Sequence, residues 1–367
     1  MSRTTTATIH LDALAHNLAR VRDAASGARV MAVVKADAYG HGLERVALAL
    51  ASADAFGVST FEEAERLRAA GLDHRIVLLS GFDDPADFAR MRRQRLDAVV
   101  HHASQLAMLE QHGAGTPMHV WLKLDTGMHR LGFPAAQAGD AHARLRALAC
   151  IDADIGLMTH FASSDEFDGA QTRAQLQVFA EATAALAGDR SLANSAAILG
   201  WPQAHAQWVR AGGALYGMSV AAGKRGADFG LRPVMTLSSR LIAINRVARG
   251  EPVGYSATWH CPEDMAIGVA AVGYGDGYPR GAKAGTPVLV RGVRVPVIGR
   301  VSMDLMTLDL RGLPEAAVGD PVVLWGADLP VEEVAEHAGT IGYELTCSIT
   351  RRVRYVETGQ EPTPGSN

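Results

Sequence analysis

The chain has 367 residues, of which 48% are hydrophobic and 20% charged, and a formal net charge of −4. That length allows two domains, and the composition suits a globular protein with an ample core and no polyanion such as nucleic acid for a partner. The three cysteines, Cys150, Cys261 and Cys347, are scattered and odd in number. This excludes a disulfide framework and a paired-cysteine zinc site, and it fits a reducing compartment. No signal-type apolar core follows the N-terminus and no run is long enough to span a membrane, so a cytoplasmic protein is expected.

In chain order, Met1–Thr6 reads as a loose end. Short β-branched runs then follow at Arg29–Val34, Ala55–Val58, Arg75–Leu79, Asp97–Val100, Met118–Leu124, Ile155–Thr159, Leu192–Asn194 and Gln207–Val209. Between most of them lie helical patterns, at Leu43–Ala51, Phe61–Ala70, Gln105–Gln111, Ala135–Ala149 and Gln171–Ala187. Eight strands with intervening helices predict parallel βα units closed into a (β/α)8 TIM-type barrel over residues 1–231, near the roughly 250 residues typical of that fold. An open sheet of six to eight strands is the alternative, because the last two runs are weak. After Arg232-Pro233 the texture changes. Met235–Val247, Met265–Val272, Thr286–Val290, Val293–Val301, Met306–Leu310 and Pro321–Trp325 are strand-like runs split by Gly, Pro and Asp. Helical patterning is scarce until Val331–His337, which predicts a mostly antiparallel β domain over 232–367. Glu361–Asn367 reads as a second loose end.

Barrel chemistry sits at the carboxyl ends of the strands. Lys35 follows the apolar run 30–34 there and opens Lys35-Ala36-Asp37-Ala38-Tyr39-Gly40-His41-Gly42. A desolvated lysine amine gives up its proton readily and forms a Schiff base with an aldehyde. A surface lysine capping the strand is the plainer reading of the same residue. The other strand ends bring Lys123, Asp125 and Arg130, then Thr159-His160, Asn194-Ser195 and Arg210-Ala211-Gly212-Gly213 to the same rim. Loops after strands seven and eight commonly hold phosphate, and Ser195 with the Gly212-Gly213 backbone would serve, although Gly-Gly is equally an ordinary turn. A Schiff-base lysine and a phosphate cradle on one rim point to pyridoxal 5′-phosphate.

Motifs along nearly the whole chain resemble the bacterial alanine racemases: AVVKADAYGHG (32–42), LKLDTGMHRLGF (122–133), THFASSDE (159–166), NSAA (194–197), VRAGGALYG (209–217), VGYSATW (253–259), GYGDGYPR (273–280), IGRVSMDLM (298–306) and GYELTCSITRRV (342–353). The resemblance implies a racemase that interconverts L- and D-alanine with two bases, one for each face of the α-carbon. Lys35 would carry the cofactor and serve the D-enantiomer, and Tyr255 the L-enantiomer. A phenol with an ordinary pKa of about 10 needs positive charge nearby to act at neutral pH. The family arrangement links Tyr255 to His160 and His160 to Arg210. Arg210 would face the pyridine nitrogen, and because arginine only donates, that nitrogen stays unprotonated.

The resemblance further gives Arg130 and the Met303 N–H to the substrate carboxylate, with Arg130 also on the cofactor's phenolic oxygen. Tyr39, Asn194, Ser195, Gly212, Gly213 and Tyr343 would bind the cofactor, most of them at its phosphate. Tyr274, Arg280, Arg300 and Asp304 would lie toward the substrate entrance. Lys123 shares strand parity with Trp121 and Asp125, and family members carbamylate this lysine; snorkelling to the rim is the alternative. A head-to-tail homodimer is implied, in which Tyr255 and Met303 serve the neighbour's barrel. Ala211 and Ser302 depart from the family pattern at positions where proline and cysteine occur. A decarboxylase on the same plan would place an acid at the pyridine nitrogen, where this chain has Arg210. A pocket without a dedicated hydroxyl partner separates alanine from serine by only about 1–3 kcal/mol, so a broader small-amino-acid racemase is a further alternative. A non-enzymatic cofactor carrier would need only the barrel. Arg351-Arg352-Val353-Arg354 and Arg92-Arg93-Gln94-Arg95 read as solvated faces, and His101-His102 has no metal-ligand spacing.

Overall fold

The computed structural model describes residues 5–359. Eight parallel strands form the first unit: β2 (Arg29–Val33), β3 (Ala55–Val58), β4 (Arg75–Leu78), β5 (Leu96–Val100), β6 (Val120–Asp125), β7 (Gly156–Met158), β8 (Arg190–Ser191) and β9 (Trp208–Ala211). Each pairs in parallel with the next, and β9 pairs back onto β2 with Trp208 opposite Arg29, so the sheet closes. These strands are short and almost wholly apolar because helices cover one face and the barrel core the other. Met31, Ala55, Val77, Val99, Trp121, Met158 and Trp208 fill that interior as one cluster.

The seventh strand lies at Arg190–Ser191, two residues before the expected Leu192–Asn194. Asn194 is instead the cap of the helix Ser195–Gly200, its side chain accepting from the Ala197 N–H at 3.0 Å.

The second unit is an eight-stranded, mostly antiparallel sheet. It contains β10 (Met235–Val247), β11 (Met265–Ala270), β12 (Pro287–Val290), β13 (Val293–Ile298), β14 (Met306–Asp309), β15 (Pro321–Trp325) and β16 (Arg354–Thr358). The long β10 pairs with both β11 and β15, with register shifts at Leu241/Ala243 and Leu237/Ser238 that let one strand serve two neighbours.

The eighth member is β1 (Thr6–His10), which corrects two expectations. Thr6 is strand and not a loose end, and this segment leaves the barrel range 1–231 to pair antiparallel with β10 and parallel with β16. Its side chains alternate, with Ala7 and Ile9 fully buried between half-exposed neighbours. That pattern belongs to a half-buried sheet and not to a barrel strand covered on both faces. Met1–Thr4 and the expected tail Glu361–Asn367 lie outside the described residues. Among the described residues no helix is long and apolar enough to cross a membrane.

Candidate active site

Side chains on a strand alternate between its two faces, so residues two apart point the same way. Stepping two residues on from the apolar interior cluster changes its chemistry. Trp121 leads to Lys123, Val99 to His101, Met158 to His160 and Trp208 to Arg210. The carboxyl-end layer of the barrel is therefore polar and cationic. Arg210 is fully enclosed: it donates to the carbonyls of Ser191 (2.7 Å), Thr159 (2.6 Å) and Leu192 (3.2 Å), to the Ser191 hydroxyl (2.8 Å) and to His160 Nδ1 (3.3 Å). Its Nε alone makes no hydrogen bond to a described residue. A guanidinium can only donate, so His160 Nδ1 is the acceptor and Nε2 carries the imidazole proton. Burial, then the charges of Arg210, Lys123 and Arg130, hold His160 well below the ordinary imidazole range, so it is neutral.

Lys35 follows β2 at the same rim. Burial, then Arg130, lowers its amine from the usual lysine value. The next four residues, Ala36, Asp37, Ala38 and Tyr39, all have φ of 52–54° and form a left-handed turn where a plain loop was expected. Left-handed residues other than glycine cost about 1–2 kcal/mol each, so surrounding contacts must hold this turn. Glu63 accepts the Ala36 N–H at 2.7 Å, Arg66 grips Asp37 at 2.8 Å and the Tyr355 hydroxyl donates to the Gly40 carbonyl at 2.8 Å. Gly40 is required there: a Cβ would stand 2.0 Å from the Thr346 carbonyl. Of the nine positive-φ non-glycine residues described, seven sit beside candidate site residues: the four after Lys35, His129 before Arg130, and Ser256 and Ala257 after Tyr255. Strain of this kind gathers at functional sites.

Tyr39 and Tyr343 bring their rings together, centroids 5.7 Å apart, over the Gly212-Gly213 backbone. A Cβ on Gly212 would meet the Tyr39 hydroxyl at 2.6 Å and one on Gly213 the Tyr343 hydroxyl at 2.3 Å. Burial raises both phenols, which therefore remain neutral O–H donors. The Ser195 hydroxyl accepts from the N–H groups of Gly212 (2.8 Å) and Ala214 (3.2 Å). This is a glycine-lined cradle with convergent hydroxyl donors, suited to a phosphate.

Lys123 is 8% exposed and points into the barrel, so it does not snorkel out. Burial, then Arg210, Arg130 and Lys35, pushes its pKa down to about 8. Asp125 is occupied by the N–H groups of Gly127, Met128 and His129, which shapes the loop that presents Arg130.

Of the second-unit candidates, Tyr343 reaches the cradle, whereas Tyr255, Met303 and Asp304 are exposed. Tyr255 is 68% exposed and Met303 53%, and no hydrogen bond or ring contact joins either to Lys35 among the described residues. Asp304 is exposed and gripped by Arg352, which also lies 3.7 Å from the buried Asp276. Arg352 is exposed, as a solvated face should be, and from there it also reaches the carboxylates of Asp304 and of Asp276 in the Tyr274 turn. Glu63 is the other residue the sequence reading passed over, and its signal was present: Thr60-x-x-Glu63 is a capping box, seen here at the start of Phe61–Ala69.

The alanine racemase N-terminal domain profile matches residues 9–220 and the C-terminal domain profile residues 234–357. The chain belongs to the alanine racemase family. It is therefore an enzyme of the isomerase class. It is 55% identical over 347 residues to the alanine racemase of Nitrosococcus oceani, covering 95% of this chain and 97% of that one. The fold superposes on the crystal structure of biosynthetic alanine racemase from Pseudomonas aeruginosa with a TM-score of 0.95 at 46% identity, covering 97% and 99% of the two chains. The structure of alanine racemase from Acinetobacter baumannii follows at 0.92 and 36% identity, covering 97% of this chain and all of that one (100%). Barrel and β unit are thus arranged as in members of the family.

Proposed function

We propose that the chain interconverts L- and D-alanine using pyridoxal 5′-phosphate and two opposed bases, Lys35 and Tyr255. The observation that carries this reading is the cationic rim itself: a lysine with a lowered amine pKa beside a phosphate-sized cradle and the Arg210–His160 pair. The cofactor, when bound, supplies an electron sink that makes the substrate's α-proton labile. Tyr39, Tyr343, Asn194, Ser195, Gly212 and Gly213 would hold its phosphate end, Lys35 its aldehyde and the unused Arg210 Nε its ring nitrogen. Arginine at that place, where a decarboxylase would be expected to carry an acid, favours racemisation.

Lys35 takes or returns the α-proton on one face, and Tyr255 on the other. The His160 N–H, held by Arg210, is the group that would orient the phenol. Arg130 and the Met303 N–H would bind the substrate carboxylate, with Tyr274, Arg280, Arg300 and Asp304 toward the entrance. The exposure of Tyr255 and Met303 in one chain supports a homodimer whose β unit completes the partner's barrel mouth. Residues 1–231 and 232–367 would then act as cofactor unit and second-base unit, apart from the strand Thr6–His10 that crosses over. The purified holoenzyme is expected to convert L-alanine to a racemic mixture, followed by chiral chromatography, with slower turnover of L-serine. Evolution of amine and carbon dioxide in place of inversion would sink the proposal. A supply role for cell-wall D-alanine in the cytoplasm fits the same chemistry, as does alanine catabolism.

Lys123 would carry a carbamate. With a pKa of about 8, about a tenth of the amine is free at pH 7 and open to carbon dioxide. The resulting negative charge would offset the surrounding Arg210, Arg130 and Lys35. A carbonyl NMR signal from labelled carbon dioxide is expected, and it should vanish in Lys123→Ala; its absence from the native enzyme would exclude the modification.

A further inference from the structure

Between the barrel and the β unit lies a small cavity of about 20 Å³, bordered by His41, Tyr216, Trp325, Glu332 and Thr346 among others. Two of the residues that line it carry a buried polar atom, His41 Nε2 and Trp325 Nε1, and neither has a hydrogen-bond partner among the described residues. Their chemistry is complementary. His41 Nδ1 faces two carbonyls, of Tyr39 at 2.9 Å and Ala38 at 3.1 Å, so it carries the ring proton and leaves Nε2 as a lone-pair acceptor. Burial lowers the His41 pKa to about 4, which keeps that lone pair available at neutral pH. An indole N–H can only donate. Thr346 donates its hydroxyl to the Tyr343 carbonyl at 3.3 Å and keeps oxygen lone pairs to accept a third bond.

We propose that one ordered water occupies this cavity and bridges His41 Nε2 to Trp325 Nε1, tying the left-handed Lys35 turn to the β-unit sheet. Such a site needs about 10–15 Å³ and two to four polar partners, so the cavity admits one water. The water donates to His41, accepts from Trp325 and has Thr346 within its walls for its second proton. The His41 ring packs tilted against Tyr216, centroids 4.7 Å apart, and Tyr216 stacks on Tyr39 at 4.7 Å. The bridge therefore fixes the far end of the ring stack that leads to the phosphate cradle. It stands whether or not that cradle holds the proposed cofactor.

The test is a crystal structure of the native holoenzyme at a resolution that orders buried solvent. One solvent peak within about 3.2 Å of both nitrogens is expected. A dry cavity, or a peak reaching only one of the two, overturns the proposal. Thermal unfolding of His41→Phe, Trp325→Phe and the double variant gives a second readout. If one water serves both groups, the double variant melts close to the worse single variant. Fully additive losses argue for two unrelated sites and against a bridge. Should a variant fail to fold, the native solvent peak decides alone.

Discussion

Chains carrying Tyr255→Phe are expected to exchange the α-hydrogen of D-alanine with deuterated solvent while racemising both enantiomers far more slowly. The variant keeps the ring, the Gly254 entry and the strained Ser256 and Ala257 backbone, and loses only the hydroxyl that would handle the proton on one face. Removing a positioned acid or base costs about 10²–10⁴ in rate, so racemisation should fall by that factor. Lys35 remains, its amine lowered by burial and by Arg130, and it still takes and returns the proton on its own face. L-alanine, which presents its proton to the missing phenol, should stay unlabelled. Proton NMR of each enantiomer in deuterium oxide reads both outcomes. Equal labelling of the two enantiomers would mean that one base reaches both faces, and the two-base reading would fail.

The fold was legible wherever burial dictated composition. Barrel strands covered on both sides must be continuously apolar, and Ala55–Val58 stands where such a run predicts it; the half-buried strands Met235–Val247 and Pro321–Trp325 of the second sheet also stand at their expected bounds. Segments whose pattern had a different cause were misplaced. The helix Leu11–Ala24 was passed over although Leu11, Leu14, Leu18 and Val21 recur on one face. Its neighbour Thr6–His10 alternates as a half-buried strand should. The seventh barrel strand slipped because Leu192-Ala193 is apolar, but Asn194 spends its side chain on a helix start. The left-handed turn after Lys35 had little local signal: of Ala36, Asp37, Ala38 and Tyr39 only Asp37 is of a type that visits that conformation, and then as a single residue. Glu63, Arg66 and Tyr355 impose it from elsewhere in the chain. The rim residues were legible for a simpler reason. A polar residue two positions beyond a buried one on the same strand face emerges at the barrel mouth, as Lys123, His160 and Arg210 do. The pairing of Lys35 with a phenol from the other unit had no such geometric signal and came from the resemblance alone.

That pairing makes the second large prediction. Lys35→Ala chains and Tyr255→Phe chains, each nearly inactive alone, should recover about a quarter of native activity when mixed and allowed to exchange subunits. The number follows from counting. Free exchange makes half of all dimers mixed, and each mixed dimer joins one intact barrel mouth to one intact phenol while its other site has lost both. Half the dimers with one working site of two give a quarter. The placement of the two residues within a single chain is what motivates the test. Lys35 sits in a partly enclosed mouth lined by Arg210, His160 and Tyr39, whereas Tyr255 stands 68% exposed on the β unit. Tyr274, Met303 and Leu305 of the same unit are exposed as well, and the Gly275 N–H on the Met303 carbonyl at 2.8 Å holds the Tyr274 turn beside Met303. Verified mixed dimers that recover no activity would place both bases in one chain. In that case Tyr255 must swing inward on substrate binding, and Ser256 and Ala257 are the strained residues that would have to release it.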